Sequence, residues 1–154
     1  MCGIVTLFGE KRDVPGDLLT HRGPDDYRRE TMGKCQMDYY RLAINDLTDA
    51  AMQPFVRPHR MFACNGEIYN HRSFRSGQER SRSDCEVVMN LIHTLGIENT
   101  VRSINGDFAM VYTDGKRILA ARDPVGVRPM FYTRYAKDSI AFASEAKALM
   151  FLET

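Results

Sequence analysis

The chain begins Met1-Cys2-Gly3-Ile4, and this stretch leads directly into an apolar, β-branched run over residues 4–8 that Gly9 closes. Such a run predicts a buried strand that carries the N-terminus into the core, with Cys2 just before the start of the strand. Removal of the initiator Met1 would leave Cys2 with both a thiol and a free α-amine, and both groups reach their reactive forms near neutral pH. Because many chains begin Met-Cys by chance, the rest of the sequence must decide whether this feature is functional.

Length, composition and charge restrict the class of protein. With 154 residues and 44% hydrophobic content, the chain suits one domain with its own core. The 21 basic and 20 acidic residues nearly cancel, which argues against nucleic acid or an anionic membrane as the main partner. The cysteines form no Cys-x-x-Cys pair, which argues against a zinc ribbon. Without a signal-peptide pattern or a run of ~20 apolar residues, we expect a protein of the reducing cytoplasm.

Short strands dominate the predicted secondary structure. The dipeptides Asn65-Gly66 and Asp114-Gly115 both favour tight hairpin turns. Between the first strand and the turn-rich loop at residues 21–26, the sequence allows at most a short helix over residues 17–20. Alternation and β-branched content predict further strands at residues 37–44, 60–64, 107–113, 117–122, 130–134 and 139–143.

Two helices are predicted, one in the middle of the chain and one at its end. Ser83 can cap the first, Glu86 stands three residues later as in a capping box, and Gly96 ends it. Ser144 can cap the second, which would extend to Phe151. Many strands joined by hairpins, with few long helices, predict an α+β layered domain rather than a parallel doubly wound sheet.

Nine short motifs lie between residue 1 and residue 149, namely MCGI (1–4), HRGPD (21–25), RLAI (41–44), QP (53–54), NGEIYNH (65–71), SDCEV (83–87), GDFA (106–109), RDPVGVRP (122–129) and ASEAKAL (143–149). They occur in the order typical of one family. They resemble the glutaminase domain of class II glutamine amidotransferases, which are N-terminal-nucleophile hydrolases, and among these the asparagine synthetase branch. The resemblance implies a single compact domain over residues 1–154 with an αββα four-layer sandwich, in which two antiparallel sheets lie between helical layers.

The resemblance also implies a reaction, the hydrolysis of the glutamine side-chain amide to glutamate and ammonia. Cys2 would be the nucleophile and form a glutamyl thioester, while its own α-amine would transfer the proton in place of a histidine. The side-chain amide of Asn65 and the backbone N–H of Gly66 match the family's oxyanion hole. By the same resemblance, the chemistry requires no metal ion and no other cofactor.

Further residues match the positions that hold the amino-acid end of the substrate. Arg41 matches the ligand of the α-carboxylate, for which a planar guanidinium is suited, and Glu67 and Asp84 match the ligands of the α-ammonium group. The remaining matches are backbone groups that would line the pocket, at Leu42 and Ile44, and a side chain that would steady the N-terminal strand, Arg22.

Ordinary structural roles remain open for several of these residues. Asn65-Gly66 alone is a common turn former. Asp84 follows the capping serine, so it is also a first-turn acid that favours the helix dipole, and this role is compatible with ligand binding. The other cysteines are most simply small buried apolar residues, namely Cys35, Cys64 and Cys85.

The chain departs from the family pattern at two places. The segment between the first strand and the HRGPD motif is too short for the helix that relatives carry there. The sequence also ends at Thr154, so we expect a glutaminase domain without the acceptor domain, an exposed sheet edge, and ammonia passed in trans to a synthetase or transferase. The alternatives are hydrolysis of another γ-glutamyl amide, or an inactive regulatory or assembly subunit, which retention of Met1 would favour.

Overall fold

The computed structural model describes residues 1–152, in which nine strands form two antiparallel sheets. The helices are α1 (Asp84–Leu95), α2 (Ile97–Ser103) and the short 3₁₀ helices Asp49–Ala51, His71–Phe74 and Ala146–Leu152. The strands are β1 (Gly3–Phe8), β2 (Asp26–Met32), β3 (Cys35–Arg41), β4 (Phe55–Arg57), β5 (Arg60–Ile68), β6 (Gly106–Thr113), β7 (Ile118–Arg122), β8 (Phe131–Ala136) and β9 (Ser139–Ala143). One sheet has the order β2-β3-β1-β9-β8, and the other has the order β4-β5-β6-β7.

Strand β1 lies in the centre of the five-stranded sheet, as the opening sequence predicts. It pairs with β3 on one side and with β9 on the other. Ile4 faces the second sheet, whereas Val5 and Leu7 face the opposite side, and all three are buried. A strand that is apolar on both faces needs cover on both faces, which explains why this run shows no alternation of apolar and polar residues.

The predicted sandwich of two sheets between helical layers is confirmed. The inner faces of the sheets meet through β3 and β5, and α1 covers the outer face of the four-stranded sheet with Val88, Met89 and Ile92. On the outer face of the five-stranded sheet, the fourth layer consists of the 3₁₀ helix Ala146–Leu152 and a loop that contributes Leu19. Within residues 1–152, no helix is long and apolar enough to cross a membrane.

Five elements were not predicted from sequence, among them the 3₁₀ helices Asp49–Ala51 and His71–Phe74, and the ends of several strands differ from their predicted positions. Strand β2, the short β4 and helix α2 are the other three, and β3 ends at Arg41 instead of residue 44. The sequence of β2, DYRRETM, is mostly polar because this strand lies at the edge of its sheet and is only partly buried. Residues 17–20 form turns and not a helix.

The prediction of a hairpin at Asn65-Gly66 is wrong. Both residues lie inside β5, where Asn65 pairs with Ala109 and Gly66 pairs with Phe108 of β6. Continuous pairing along β6 overrides the local turn preference of the dipeptide. By contrast, the turn at Asp114-Gly115 joins β6 to β7 as predicted.

The prediction of a helix cap at Ser144 is also wrong, because this serine binds the N-terminal strand. Its hydroxyl accepts the N–H of Ile4 at 3.0 Å, and its own N–H donates to the Ile4 carbonyl oxygen at 3.0 Å. The segment that follows forms the 3₁₀ helix Ala146–Leu152. Ser144 therefore extends the support of β1 beyond the end of β9.

At the start of α1, Ser83 is the N-cap and accepts the N–H of Cys85, but the predicted capping box is not formed. Glu86 is 1% exposed, and instead of returning to Ser83 its carboxylate accepts the N–H of Ser81 at 2.8 Å and the Ser81 hydroxyl at 2.6 Å. It also accepts the N–H of Arg80 and pairs with Arg57 of β4. Glu86 therefore ties β4 and the loop before α1 to the helix.

We expect Glu86→Ala to lower the free energy of unfolding by about 3 kcal/mol, because the buried N–H and hydroxyl donors and Arg57 all lose their acceptor. Urea unfolding followed by circular dichroism measures this change. Glu98→Ala, on the exposed start of α2, is the matched control, and its effect should stay within about 0.5 kcal/mol. A loss below about 1 kcal/mol in Glu86→Ala would contradict this account.

Candidate functional site

A cavity of about 280 Å³ opens where β1 begins, β3 ends and β5 passes the start of α1. This volume lies just below the range of about 300–1,000 Å³ that is usual for ligand pockets. All of the predicted catalytic and substrate-binding residues line the cavity, and only Arg22 lies outside it. The lining residues that sequence analysis selected are Cys2, Arg41, Leu42, Ile44, Asn65, Gly66, Glu67 and Asp84.

The thiol of Cys2 lies against the chain that leaves β3. The N–H of Leu42 donates to Cys2 Sγ at 3.3 Å, and Sγ lies 3.5 Å from the Leu42 carbonyl oxygen. Arg22 holds the main chain of Cys2, since its Nε donates to the Cys2 carbonyl oxygen at 3.1 Å. The guanidinium of Arg22 also pairs with Glu145 at 3.1 Å. Both the sulfur and the main chain of residue 2 are therefore held. Met1 precedes this residue and also lines the cavity.

The backbone N–H of Gly66 points away from the neighbouring strand. In an antiparallel ladder, the N–H and C=O of one residue point to the same side, and successive residues alternate. Phe108, the partner of Gly66, directs its N–H and C=O to Asp123, so Gly66 and Phe108 form a pair without mutual hydrogen bonds. The N–H of Gly66 consequently faces the open side of β5, and within residues 1–152 no hydrogen bond engages it.

The side chain of Asn65 supplies a second free donor to the same cavity. Asn65 is 2% exposed, and its Nδ2 atom is buried without a hydrogen-bond partner in residues 1–152. Buried polar groups are rarely left unpaired, because each one costs about 1–3 kcal/mol. Two unpaired N–H donors beside a thiol are the arrangement that acyl transfer to sulfur requires.

Charged side chains of both signs line the rest of the cavity. Arg41 is 6% exposed and donates to the carbonyl oxygen of Asp46. Asp84 accepts the N–H of Ile68 through Oδ2 at 2.7 Å, while the carboxylate of Glu67 makes no hydrogen bond or ion pair within residues 1–152. A ligand with one carboxylate and one ammonium group would therefore meet groups of opposite charge. Ile44 lies at the rim and is largely exposed.

A second arginine of the cavity, Arg128, was not assigned a role from sequence. The carboxylate of Asp123 accepts the N–H groups of Val127 at 2.9 Å and of Arg128 at 3.0 Å, which folds the loop after β7. Burial alone would raise the pKa of Asp123, but these backbone hydrogen bonds outweigh it and lower the pKa. Arg128 then pairs with Asp107 at 2.5 Å, and Asp107 also accepts the Tyr69 hydroxyl. The RDPVGVRP motif was the sequence signal for this loop.

Several uncharged residues of the lining were also missed as members of the site, among them Tyr39, Cys85 and Gln53. Burial raises the pKa of Tyr39 well above its usual value, so its hydroxyl stays protonated as a donor. A hydrogen bond to Cys64, together with burial, raises the pKa of the Cys85 thiol, so Cys85 is a poor nucleophile near neutral pH. Gln53 completes this group, and its presence in the QP motif was the only signal for it. Among residues 1–152, no three His, Cys, Asp or Glu side chains are grouped to hold a metal ion.

Comparison with known proteins gives consistent results. A model of the glutamine amidotransferase domain matches residues 1–154. A probable glutamine-hydrolysing asparagine synthetase of Acanthamoeba polyphaga mimivirus is 36% identical and aligns with 97% of this chain and 30% of its own length. The human asparagine synthetase is 35% identical, with 99% and 30% covered. The solved structure of glutamine phosphoribosylpyrophosphate amidotransferase from B. subtilis covers 99% of this chain and 44% of its own, with 20% identity and a TM-score of 0.79.

The architecture is therefore that of an N-terminal-nucleophile hydrolase, with a cysteine at position 2 beside the cavity. The chain belongs to the class II glutamine amidotransferases, and it is homologous to the glutaminase domain of asparagine synthetases. It spans about 30% of the length of the asparagine synthetases that it matches.

The contacts of Glu145 make the support behind Cys2 sensitive to pH. Burial would raise the pKa of Glu145, but hydrogen bonds from His21, Arg22 and Lys147 outweigh it and lower the pKa to about 2. A carboxylate with a lowered pKa stabilises the fold above the pKa of about 4.3 that it has in the unfolded chain, and this contribution is lost as the pH falls toward 2.

We therefore expect Glu145→Gln to be less stable than the unaltered protein at pH 7 and pH 5, with the difference shrinking between about pH 4.5 and pH 2. Urea unfolding at a series of pH values measures the difference. Glu98→Gln serves as the control, with a small effect at every pH. A difference that grows on acidification would have the wrong sign for this pairing.

Proposed function

We propose that this chain hydrolyses the side-chain amide of glutamine to glutamate and ammonia. One observation carries the proposal: the Cys2 thiol shares a cavity with the unpaired donors of Asn65 and Gly66. Membership of the class II glutamine amidotransferases supports the same reaction. Losing one oxyanion donor typically costs about 100- to 1,000-fold in turnover. Two unpaired donors beside the thiol therefore support catalysis through an oxyanion at this cavity.

In the proposed reaction, Cys2 Sγ attacks the amide carbon while the α-amine of Cys2 takes the thiol proton. The carbonyl oxygen becomes an oxyanion that accepts hydrogen bonds from Asn65 Nδ2 and the N–H of Gly66. The protonated amine then gives its proton to the departing nitrogen, ammonia leaves, and a glutamyl thioester remains. Water attacks this thioester, the C–S bond breaks, and glutamate and the thiol are released.

The charged groups of the cavity support recognition of a free amino acid. Arg41 would bind the α-carboxylate, and Asp84 and Glu67 would bind the α-ammonium group. The main chain at Leu42 and Ile44 would form one wall. The positive and negative groups match a zwitterion, which is consistent with glutamine rather than an internal glutamine of a peptide.

The proposal requires that Met1 be removed, because the α-amine otherwise lies one residue away from the thiol. All four cysteines are free thiols in residues 1–152, which fits the reducing cytoplasm in which we place the reaction. We further propose that residues 1–154 act as one glutaminase domain, and that a synthetase or transferase in trans accepts the ammonia. The relatives are described as asparagine synthetases and a phosphoribosylpyrophosphate amidotransferase, which supports an acceptor of one of these general kinds.

We expect Cys2→Ala to abolish glutamate release from glutamine, whereas Cys35→Ala, which removes a buried thiol between the sheets, should retain activity. Intact-mass measurement after treatment with a chloroketone analogue of glutamine should show loss of Met1 and one adduct on Cys2. If Met1 is retained and no adduct forms, the chain is an inactive regulatory or assembly subunit. Unchanged glutamate release in Cys2→Ala would reject the mechanism.

We expect Arg41→Lys to raise KM for glutamine by about 10- to 100-fold, because the ammonium group replaces a fork that holds both carboxylate oxygens. The kcat should change less. The matched control is 4-aminobutanamide, which lacks the α-carboxylate, and its hydrolysis by the two proteins should be similar. If the unaltered protein hydrolyses this analogue as well as glutamine, the substrate is another amide and Arg41 has a different role.

A further inference from the structure

The open edge of β5 presents three N–H groups in a row, those of Cys64, Gly66 and Ile68. By the alternation of the ladder, all three point away from β6. Strand β4 does not cover them, because its pairing with β5 extends only from Arg60 to Phe62. A longer β4 would engage all three N–H groups, including the one proposed as an oxyanion donor.

The side chain of Gln53 takes the place of a strand at the first of these positions. Its Oε1 accepts the N–H of Cys64 at 2.7 Å, and its Nε2 donates to the Cys64 carbonyl oxygen at 3.2 Å. Nε2 also donates to the Tyr39 hydroxyl at 3.0 Å, and that hydroxyl donates to the same carbonyl oxygen at 3.3 Å. Gln53 is 4% exposed and Tyr39 is 3% exposed, so water does not compete with these hydrogen bonds.

The third position is also occupied by a side chain, since Asp84 accepts the N–H of Ile68 at 2.7 Å. The N–H of Gly66 lies between those of Cys64 and Ile68, and no hydrogen bond engages it within residues 1–152. Two side chains therefore replace a strand on either side of one open N–H group.

We propose that Gln53 is a positioning residue, which holds the main chain at Cys64 so that Asn65 Nδ2 and the N–H of Gly66 are directed at the substrate oxyanion. This inference rests on the proposed function. Gln53 acts through residues that follow Cys64 directly in the chain, so a loss of its two backbone contacts moves both donors together. A misplacement of about 1 Å at a reacting centre can cost about 100-fold in rate.

The first test compares Gln53→Met with Gln36→Met, which makes the same change at a buried glutamine of β3 outside the cavity. For Gln53→Met we expect kcat to fall about 10- to 100-fold with KM within about threefold, because ground-state binding is unaffected. Affinity for the aldehyde analogue of glutamine, which adds the Cys2 thiol to give a tetrahedral adduct, should fall by a similar factor. Gln36→Met should show neither change. A rise in KM with unchanged aldehyde affinity would overturn the proposal.

The second test does not depend on turnover. Hydrogen exchange measured by NMR should show slow exchange at the N–H of Cys64 and of Ile68 and faster exchange at Gly66. Gln53→Met should accelerate exchange at Cys64 by at least about tenfold, because the lost hydrogen bond is worth about 1.5 kcal/mol or more when the N–H is buried. Gln36→Met should not. Unchanged exchange at Cys64 would overturn the positioning role even in an active enzyme.

If Gln53→Met does not fold, Tyr39→Phe removes the hydroxyl that contacts both Gln53 and the Cys64 carbonyl oxygen. We then expect a smaller loss in kcat, about 3- to 10-fold, with a parallel loss of aldehyde affinity. The rate at which iodoacetamide alkylates Cys2 should stay unchanged, since that reaction has no oxyanion. Absence of glutamate release by the unaltered protein would reject the proposed function, while the exchange pattern would still decide the role of Gln53.

Discussion

The pairing of β1 on both of its edges is the constraint on which the site depends. Chain termini usually fray, yet the nucleophile proposed at position 2 must be held to a fraction of an ångström. The structure meets this demand by placing β1 between β3 and β9, and by adding Ser144 on one side and Arg22 on the other. Hydrogen bonds therefore hold the start of β1 on both sides, and they also restrict the position of Cys2, which directly precedes this strand.

A second constraint is the cost of leaving hydrogen-bond donors free inside a protein. The N–H of Gly66 and the side-chain amide of Asn65 each lack a hydrogen-bond acceptor within residues 1–152. An unpaired buried donor lowers the free energy of unfolding by about 1–3 kcal/mol. The surrounding groups are well paired: Cys64 by Gln53, Ile68 by Asp84, and the loop before α1 by Glu86. The unsatisfied donors are thus confined to the cavity, where the oxygen of the proposed substrate would accept their hydrogen bonds, as expected of a preorganised site.

The fold class, and the gathering of the expected site residues around one cavity, could be predicted because they depend on local patterns and on motifs in a fixed order. Strand β1 was predicted from its apolar run, and the strands around Asp114-Gly115 from their turn. What failed depended on contacts that form only in the folded structure. Strand β2 has a polar sequence and forms because it pairs with β3. Glu86 does not form the predicted capping box, because its carboxylate binds Arg57 and Ser81 instead. Gln53 was not recognised because its partners, Cys64 and Tyr39, meet it only in the folded sheet sandwich.

The dipeptide Asn65-Gly66 was expected at the site and does line the cavity, although the turn predicted for it is wrong. Glycine is favoured in hairpin turns for its positive φ, but Gly66 is not among the glycines with positive φ in this structure. Glycine is needed here for a different reason: a Cβ at this position would lie 2.2 Å from the carbonyl oxygen of Asp107 and 2.7 Å from the Cα of Phe108. The close approach of β6 is what excludes a side chain, and the same pairing turns the N–H of Gly66 outward to the cavity. The oxyanion donor proposed for this position is therefore a consequence of strand register and not of a turn.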